Sequence, residues 1–287
     1  FRRVLFRSVP AGNIFIGNGS DECIDILIRS FVEPGRDNIL ICPPTYGMYE
    51  VSAAINNVKV IEVPLTATFQ LDLPAIEAAI NPFTKIIFLC SPNNPTGNAL
   101  HRQEVELLLH NFDGLVVLDE AYINFSRHRS FTTQLEEHPN LVVMQTLSKA
   151  WGLAALRLGM AFAAPAIIEV MNKVKPPYNI NLPSQQLALQ ALEEVGQVND
   201  MIRELIAQRE FLERELPRLP VVLKVHPSEA NFLLVKVNDP DGIYNKLLGK
   251  GIVVRNRSRL PLCEGCLRIT VGTAAENEKL LQALAQL

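Results

Sequence analysis

The chain has 287 residues, a formal net charge of −3 at pH 7 and 48% hydrophobic residues. This is a globular composition with enough apolar content for one large domain or two unequal ones, and it offers nucleic acid no basic footprint. No apolar run approaches the roughly 18 residues of a membrane helix. Five scattered cysteines do not read as a disulfide framework, so a cytoplasmic location is expected.

Residues 1–8, FRRVLFRS, lack signal-peptide logic because charge interrupts a short apolar stretch. They read as a non-native, adapter-encoded segment fused to a truncated gene. Short β-branched runs then recur at 14–16, 39–42, 60–63, 86–90, 116–118, 141–145 and 160–163 and predict strands. Between them lie amphipathic stretches. Residues 20–31 place Ile24, Leu27, Ile28 and Phe31 on one helical face before Pro34-Gly35 ends the pattern, and 74–80 and 102–110 look similar. This alternation predicts an α/β domain over 9–190, with a mostly parallel seven-stranded sheet sandwiched by helices. Ligands of such sheets bind beyond the strand carboxyl ends. After Ala164 the pattern changes. A long helix over 184–216, strands at 231–237, 252–255 and 267–271, and helices at 242–249 and 276–287 predict a smaller α+β domain over 191–287.

Four loops follow predicted strands, and each admits two readings. Gly17-Asn18-Gly19-Ser20-Asp21 is either a capped helix start or an anion site of free N–H groups at a helix N-terminus. In Pro43-Pro44-Thr45-Tyr46, Tyr46 either packs or stacks on a planar ring. Ser91-Pro92-Asn93-Asn94-Pro95-Thr96-Gly97 is dense in turn formers, yet a turn does not account for an asparagine between prolines that can donate to a ligand oxygen. In Asp119-Glu120-Ala121-Tyr122, Asp119 ends a buried strand and needs a cationic partner, such as a pyridinium nitrogen. Thr146-Leu147-Ser148-Lys149 with Arg157 can hold a phosphorylated aldehyde: the amine bonds the carbonyl, and Ser148 and Arg157 hold the phosphate. Pyridoxal 5′-phosphate (PLP) is the cofactor that needs both. Cys263-Glu264-Gly265-Cys266 has metal-pair spacing, but it lacks a second pair or a histidine partner and reads as two ordinary thiols.

The order of these motifs resembles the class I/II family of fold-type-I PLP-dependent aminotransferases, from about Ala11 to the C-terminus. The stretches 42–49, 146–150 and 265–272 are similar to the branch of that family acting on histidinol phosphate. The resemblance implies roles. Lys149 bonds the cofactor aldehyde and moves the proton between Cα and C4′. Asp119 keeps the pyridine nitrogen protonated. Tyr122 and Asn94 bind the ring oxygen, and Tyr46 stacks on the ring. The N–H groups of Ser20 and Asp21, the hydroxyls of Ser148 and Thr146, and Arg157 bind the phosphate. Arg268 meets the carboxylate of glutamate or 2-oxoglutarate. Arg255, at the end of its predicted strand, supplies a second positive charge for a phosphate-bearing donor; Arg257 and Arg259 add charge nearby and read as solvated. The family's sites lie at a homodimer interface, to which a preceding segment, read here as missing, contributes. Implied partners are therefore small-molecule substrates and a second copy, with neither nucleic acid nor membrane. The alternatives are an aminotransferase for aromatic or other amino acids, a PLP-dependent amino-acid-phosphate decarboxylase, and a non-catalytic ligand-sensing domain.

Overall fold

The computed structural model describes residues 9–287, so the expected non-native segment over 1–8 lies outside the described residues. The seven predicted strands form as β1 (Ile14–Asn18), β2 (Asn38–Ile41), β3 (Lys59–Glu62), β4 (Thr84–Cys90), β5 (Leu115–Asp119), β6 (Leu141–Thr146) and β7 (Leu158–Ala163). They make one sheet in the order β1-β7-β6-β5-β4-β2-β3. The pairs among β2 to β6 are parallel, while β7 runs antiparallel to both β1 and β6. The reason for that reversal is connection length. Only residues 147–157 join β6 to β7, and a parallel return needs a longer crossover. That short link carries Lys149 and Arg157.

Helices α1 (Ser20–Phe31), α2 (Met48–Ile55), α3 (Leu73–Ala79), α4 (Arg102–Asn111) and α5 (Pro165–Val174) cover the sheet. Side chains alternate across it, so Ile86 and Phe88 of β4 join one core while Ile87 and Leu89 join the other. The first core closes on Ile24, Leu27 and Ile28 of α1 and on Ile167, Ile168 and Met171 of α5. The second closes on Val105, Leu108 and Leu109 of α4. Each fully buried aliphatic side chain contributes on the order of 2 kcal/mol. Helices α2 and α5 are additions to the predicted set. Both begin beside residues that read as loop formers, Gly47 and Pro165, and proline at the first helical position is compatible with a helix start.

The predicted long helix divides into α6 (Leu182–Glu193) and α7 (Val195–Glu215), with Glu194 at the junction. Beyond it, β8 (Val222–Val225), β9 (Phe232–Val237), β10 (Arg255–Asn256) and β11 (Cys266–Thr270) form an antiparallel sheet in the order β10-β11-β9-β8. Strand β8 escaped sequence detection because its Leu223 and Lys224 are exposed, which blurs the alternation. The strand expected over 252–255 is displaced: Arg255 begins β10 rather than ending a strand. One face of this sheet, including Leu233, Val235, Leu267 and Ile269, packs on α7, α8 (Pro240–Gly249) and α9 (Ala274–Ala285). Its other face, including Leu234 and Cys266, joins the second core of the large sheet. Arg209 of α7 reinforces this junction from a buried position, donating through Nη1 to the carbonyls of Phe125 (3.2 Å) and Ala230 (2.9 Å).

No helix among the described residues is long and apolar enough to cross a membrane.

Candidate active site

The five loops singled out in the sequence meet at one edge of the large sheet. They enclose about 570 Å³ of open space lined by Ser20, Asp21, Tyr46, Asn94, Asp119, Tyr122, Thr146, Ser148, Lys149 and Arg157, together with Cys90, Ala121 and Ala154. The space lies beyond the carboxyl ends of β1, β4, β5 and β6, as the parallel arrangement dictates.

Asp119 sits at the floor and is buried. Its Oδ2 accepts from the Tyr49 hydroxyl at 2.8 Å and its Oδ1 from the Ala121 N–H at 3.0 Å. Burial pushes its carboxyl above the usual range, against the pull of those two bonds and the Lys149 charge. Lys149 is exposed to the open space, with Nζ 5.6 Å from the centroid of the Tyr122 ring. Partial desolvation by the surrounding walls lowers its pKa, and the Arg268 charge lowers it further. A depressed amine is the form that attacks a carbonyl or takes a proton.

At one end of the cavity the chain offers a cradle for an anion. No side chain caps the start of α1, so its first N–H groups point outward. Arg157, held at φ 52°, accepts the Gly19 N–H at its carbonyl (2.8 Å) and swings its guanidinium over Gly19. A Cβ on Gly19, whose φ is 80°, would lie 2.5 Å from Arg157 Nη2. Gly159 is equally constrained, because a Cβ there would lie 2.2 Å from the Ser20 nitrogen. The Ser148 side chain joins this end. Thr146 differs: its hydroxyl donates to the Leu158 carbonyl (3.1 Å) and accepts from the Ser148 N–H (3.1 Å), so its proton is committed within the chain.

Tyr46 forms a wall, its hydroxyl donating to Asp21 Oδ1 at 2.9 Å, while Asp21 Oδ2 lies 3.3 Å from Arg157 Nη2. The Asp21 side chain thus links the ring wall to the anion cradle, where the sequence had pointed only to its backbone. Asn94 Oδ1 accepts from Arg268 Nη1 at 2.7 Å, which leaves its amide as the donor toward the cavity. Its neighbour Asn93 is buried and structural, donating to the Pro44 carbonyl (2.8 Å) and Thr96 Oγ1 (2.7 Å).

Arg268 projects from β11 with its guanidinium 4.9 Å from the Phe232 ring centroid. Arg255 lies directly opposite it in the β10–β11 register and is exposed. Arg257 departs from the solvated reading: it is half-buried, and its Nε is enclosed with no hydrogen-bond partner. Arg259 is exposed. Tyr49 and Phe232 also belong to this site and were missed. Tyr49 lies in the first turn of α2, three residues after Tyr46, but nothing local shows that this turn meets β5.

The residues present fit a phosphorylated pyridine aldehyde. The buried carboxylate of Asp119 has a phenol and one amide for company, and a protonated ring nitrogen supplies the cation it lacks. The uncapped helix end, Ser148 and Arg157 suit a phosphate. Lys149 lines the same cavity and feels the charges of both ends, Asp119 at one and Asp21 and Arg157 at the other. Fold and site together define a PLP-dependent enzyme of fold type I.

Residues 4–284 match the family described as aminotransferase class I and II, and the chain belongs to that family. It is 55% identical over 278 residues to a histidinol-phosphate aminotransferase of Cytophaga hutchinsonii, covering 97% of this chain and 80% of that one. The structure of a histidinol-phosphate aminotransferase from Clostridium acetobutylicum is similar with a TM-score of 0.88 at 23% identity, covering 99% of this chain and 85% of that one. The enzyme from Sinorhizobium meliloti, solved in complex with pyridoxal-5′-phosphate, gives a TM-score of 0.87 at 24% identity over 96% and 76% of the two chains. These two structural likenesses speak to the fold.

Proposed function

We propose that this chain transfers the amino group of L-histidinol phosphate to 2-oxoglutarate, giving imidazole acetol phosphate and L-glutamate, as a cytoplasmic homodimer. The observation that carries the substrate choice is the register of β10 on β11. It sets Arg255 opposite Arg268, and no carboxylate among the described residues is ion-paired with either. Two guanidinium groups without carboxylate partners, one of them close enough to lower the Lys149 pKa, favour substrates with more negative charge than a neutral amino acid.

PLP supplies the electron sink that stabilises the carbanion at the reacting carbon. The chain's residues do the rest. Lys149 would anchor the cofactor through its amine and would take up and return the proton of the reacting substrate carbon; its lowered pKa suits both tasks. Asp119 would keep the ring nitrogen charged, and Tyr49 holds Asp119. Tyr122 and the Asn94 amide would serve the ring oxygen. Tyr46 would cover the ring. The N–H groups of Ser20 and Asp21, the Ser148 hydroxyl and Arg157 would hold the phosphate. Arg268 takes the carboxylate of glutamate or 2-oxoglutarate, steered by Asn94. We read residues 9–190 as the cofactor-binding domain and 191–287 as the domain bringing the substrate arginines.

The test is turnover by the PLP-reconstituted protein. Histidinol phosphate and 2-oxoglutarate should disappear one for one as glutamate forms. Preferred turnover of an aromatic amino acid would reassign the donor. Release of CO2 from an amino-acid phosphate without consumption of 2-oxoglutarate would make the chain a decarboxylase.

A further inference from the structure

Arg257, a surface charge by its sequence, has an enclosed Nε and no hydrogen-bond partner for its guanidinium among the described residues. The Arg257 N–H donates to the Cys266 carbonyl at 2.9 Å, continuing the β10–β11 pairing by one residue. Alternation therefore places Arg257 on the same face as Arg255 and its opposite number Arg268. The residue between them, Asn256, points the other way and donates to Asp241 of α8. The Arg257 face is the one that meets the large sheet, because Cys266 and Leu234 on that side belong to its core.

Three guanidinium groups thus share one sheet face turned toward the cavity. Arg268 has Asn94 and the Phe232 ring for company. Arg255 is exposed, so water satisfies it. Arg257 has no side-chain hydrogen-bond partner within the described residues, and only its outer nitrogens can reach water. It is half-buried, its Nε is shut off from solvent, and among the described residues its side chain meets no acceptor and no carboxylate. It lies on the sheet face of Arg268, which bonds Asn94 of the cavity lining, and its charge favours ionisation of Tyr122 and disfavours the protonated form of Arg268. Bringing like charges together in a partly desolvated place without counter-ions is unfavourable unless a ligand supplies the anion. A single substrate carboxylate brings one negative charge, which Arg268 can meet by itself. A phosphate monoester brings nearly two, with three acceptor oxygens.

We propose that Arg257 is a specificity-determining residue whose guanidinium binds the phosphate ester of the amino donor, with Arg255 beside it and Arg268 free for the carboxylate substrate. The inference deepens the reading of the donor as histidinol phosphate and rests on it. Arg257 is then a discriminator between the two half-reactions, which share the cofactor and the lysine but differ in ligand charge.

The experiment compares the PLP-loaded wild type with Arg257→Gln and Arg257→Lys. For histidinol phosphate, Arg257→Gln should lower kcat/KM by roughly 10- to 100-fold, mainly through KM, the loss expected for a charge-assisted bidentate contact. For glutamate, and for dephosphorylated histidinol, the change should stay within about threefold, because neither reaches Arg257. Lysine should recover part of the loss, since it restores the charge without the planar fork. Equal losses with all donors would make Arg257 structural and overturn the proposal, as would unchanged kinetics with histidinol phosphate. If the wild type ignores histidinol phosphate, the donor assignment fails by itself. Arg257 is then tested by competitive inhibition of the glutamate half-reaction by inorganic phosphate under saturating PLP. A Ki raised about tenfold in Arg257→Gln supports a phosphate site there, and an unchanged Ki overturns it.

Discussion

Replacing Tyr49 with phenylalanine isolates one bond at the floor of the site. The Tyr49 ring is fully buried and stacked on Phe88 at 4.8 Å between centroids, with 13° between planes, so phenylalanine keeps the packing. What disappears is the 2.8 Å bond from the hydroxyl to Asp119 Oδ2. The Ala121 N–H still serves Oδ1. A hydrogen bond to a charged, buried carboxylate contributes about 1.5–3 kcal/mol. At roughly 1.4 kcal/mol per decade, losing it weakens PLP binding about 10- to 100-fold, because the ionised form of Asp119 is the one that holds a protonated ring nitrogen. The sign with pH also follows. Burial already raises the Asp119 pKa and the Tyr49 bond opposes that rise. Removing the bond raises it further, so the pH range in which Asp119 is ionised in the free protein shifts upward. The assay is a fluorescence titration of the apoprotein with PLP at several pH values, beside thermal unfolding of the apoprotein. Affinity within twofold of wild type would refute the reasoning. So would a loss of apoprotein stability as large as that of Tyr49→Ala, since packing rather than the bond would then be at stake.

Gly159→Ala should weaken PLP binding at least tenfold while leaving the protein folded, because a Cβ 2.2 Å from the Ser20 nitrogen pushes the anion cradle off β7; unchanged PLP affinity would refute the close approach. Asp21→Asn should raise the Kd for PLP severalfold by loosening Tyr46 and Arg157 together, and a double-mutant cycle with Tyr46→Phe should be non-additive; strict additivity would show that the bridge does not couple them. Glu120 is buried, and its carboxyl is pushed up to about 7 by burial, against bonds from Ser130, Phe131 and Gln145. Between pH 4.5 and 7 the folded state therefore binds more protons than the unfolded state, so this carboxyl's contribution to stability falls as pH rises, by up to about 3 kcal/mol. In Glu120→Gln that slope should vanish, and parallel unfolding curves for mutant and wild type across this window would refute the assignment.

Much of this was legible in the sequence for a simple reason. Strand and helix signals are local, so the seven strands of the large sheet could be read from short β-branched apolar runs and helix α1 from its one apolar face. Residue chemistry is also local: a lysine beside a serine and an arginine, and a carboxylate ending an apolar run, announce their needs wherever they are found. The parallel arrangement then brings the loops that carry Ser20, Tyr46, Asn94, Asp119 and Lys149 to the same sheet edge. Only the tertiary structure decided pairings between distant segments. It is the packing of α2 on the sheet that sets Tyr49 against Asp119, 70 positions away. It is the docking of the second sheet that brings Arg268 to Asn94, 174 positions away, and turns Arg257 from an apparent surface charge into a half-buried one with its Nε enclosed. Register and docking depend on the whole set of packed faces, because a strand shifted by one residue presents the opposite side chains. No local pattern carries that information.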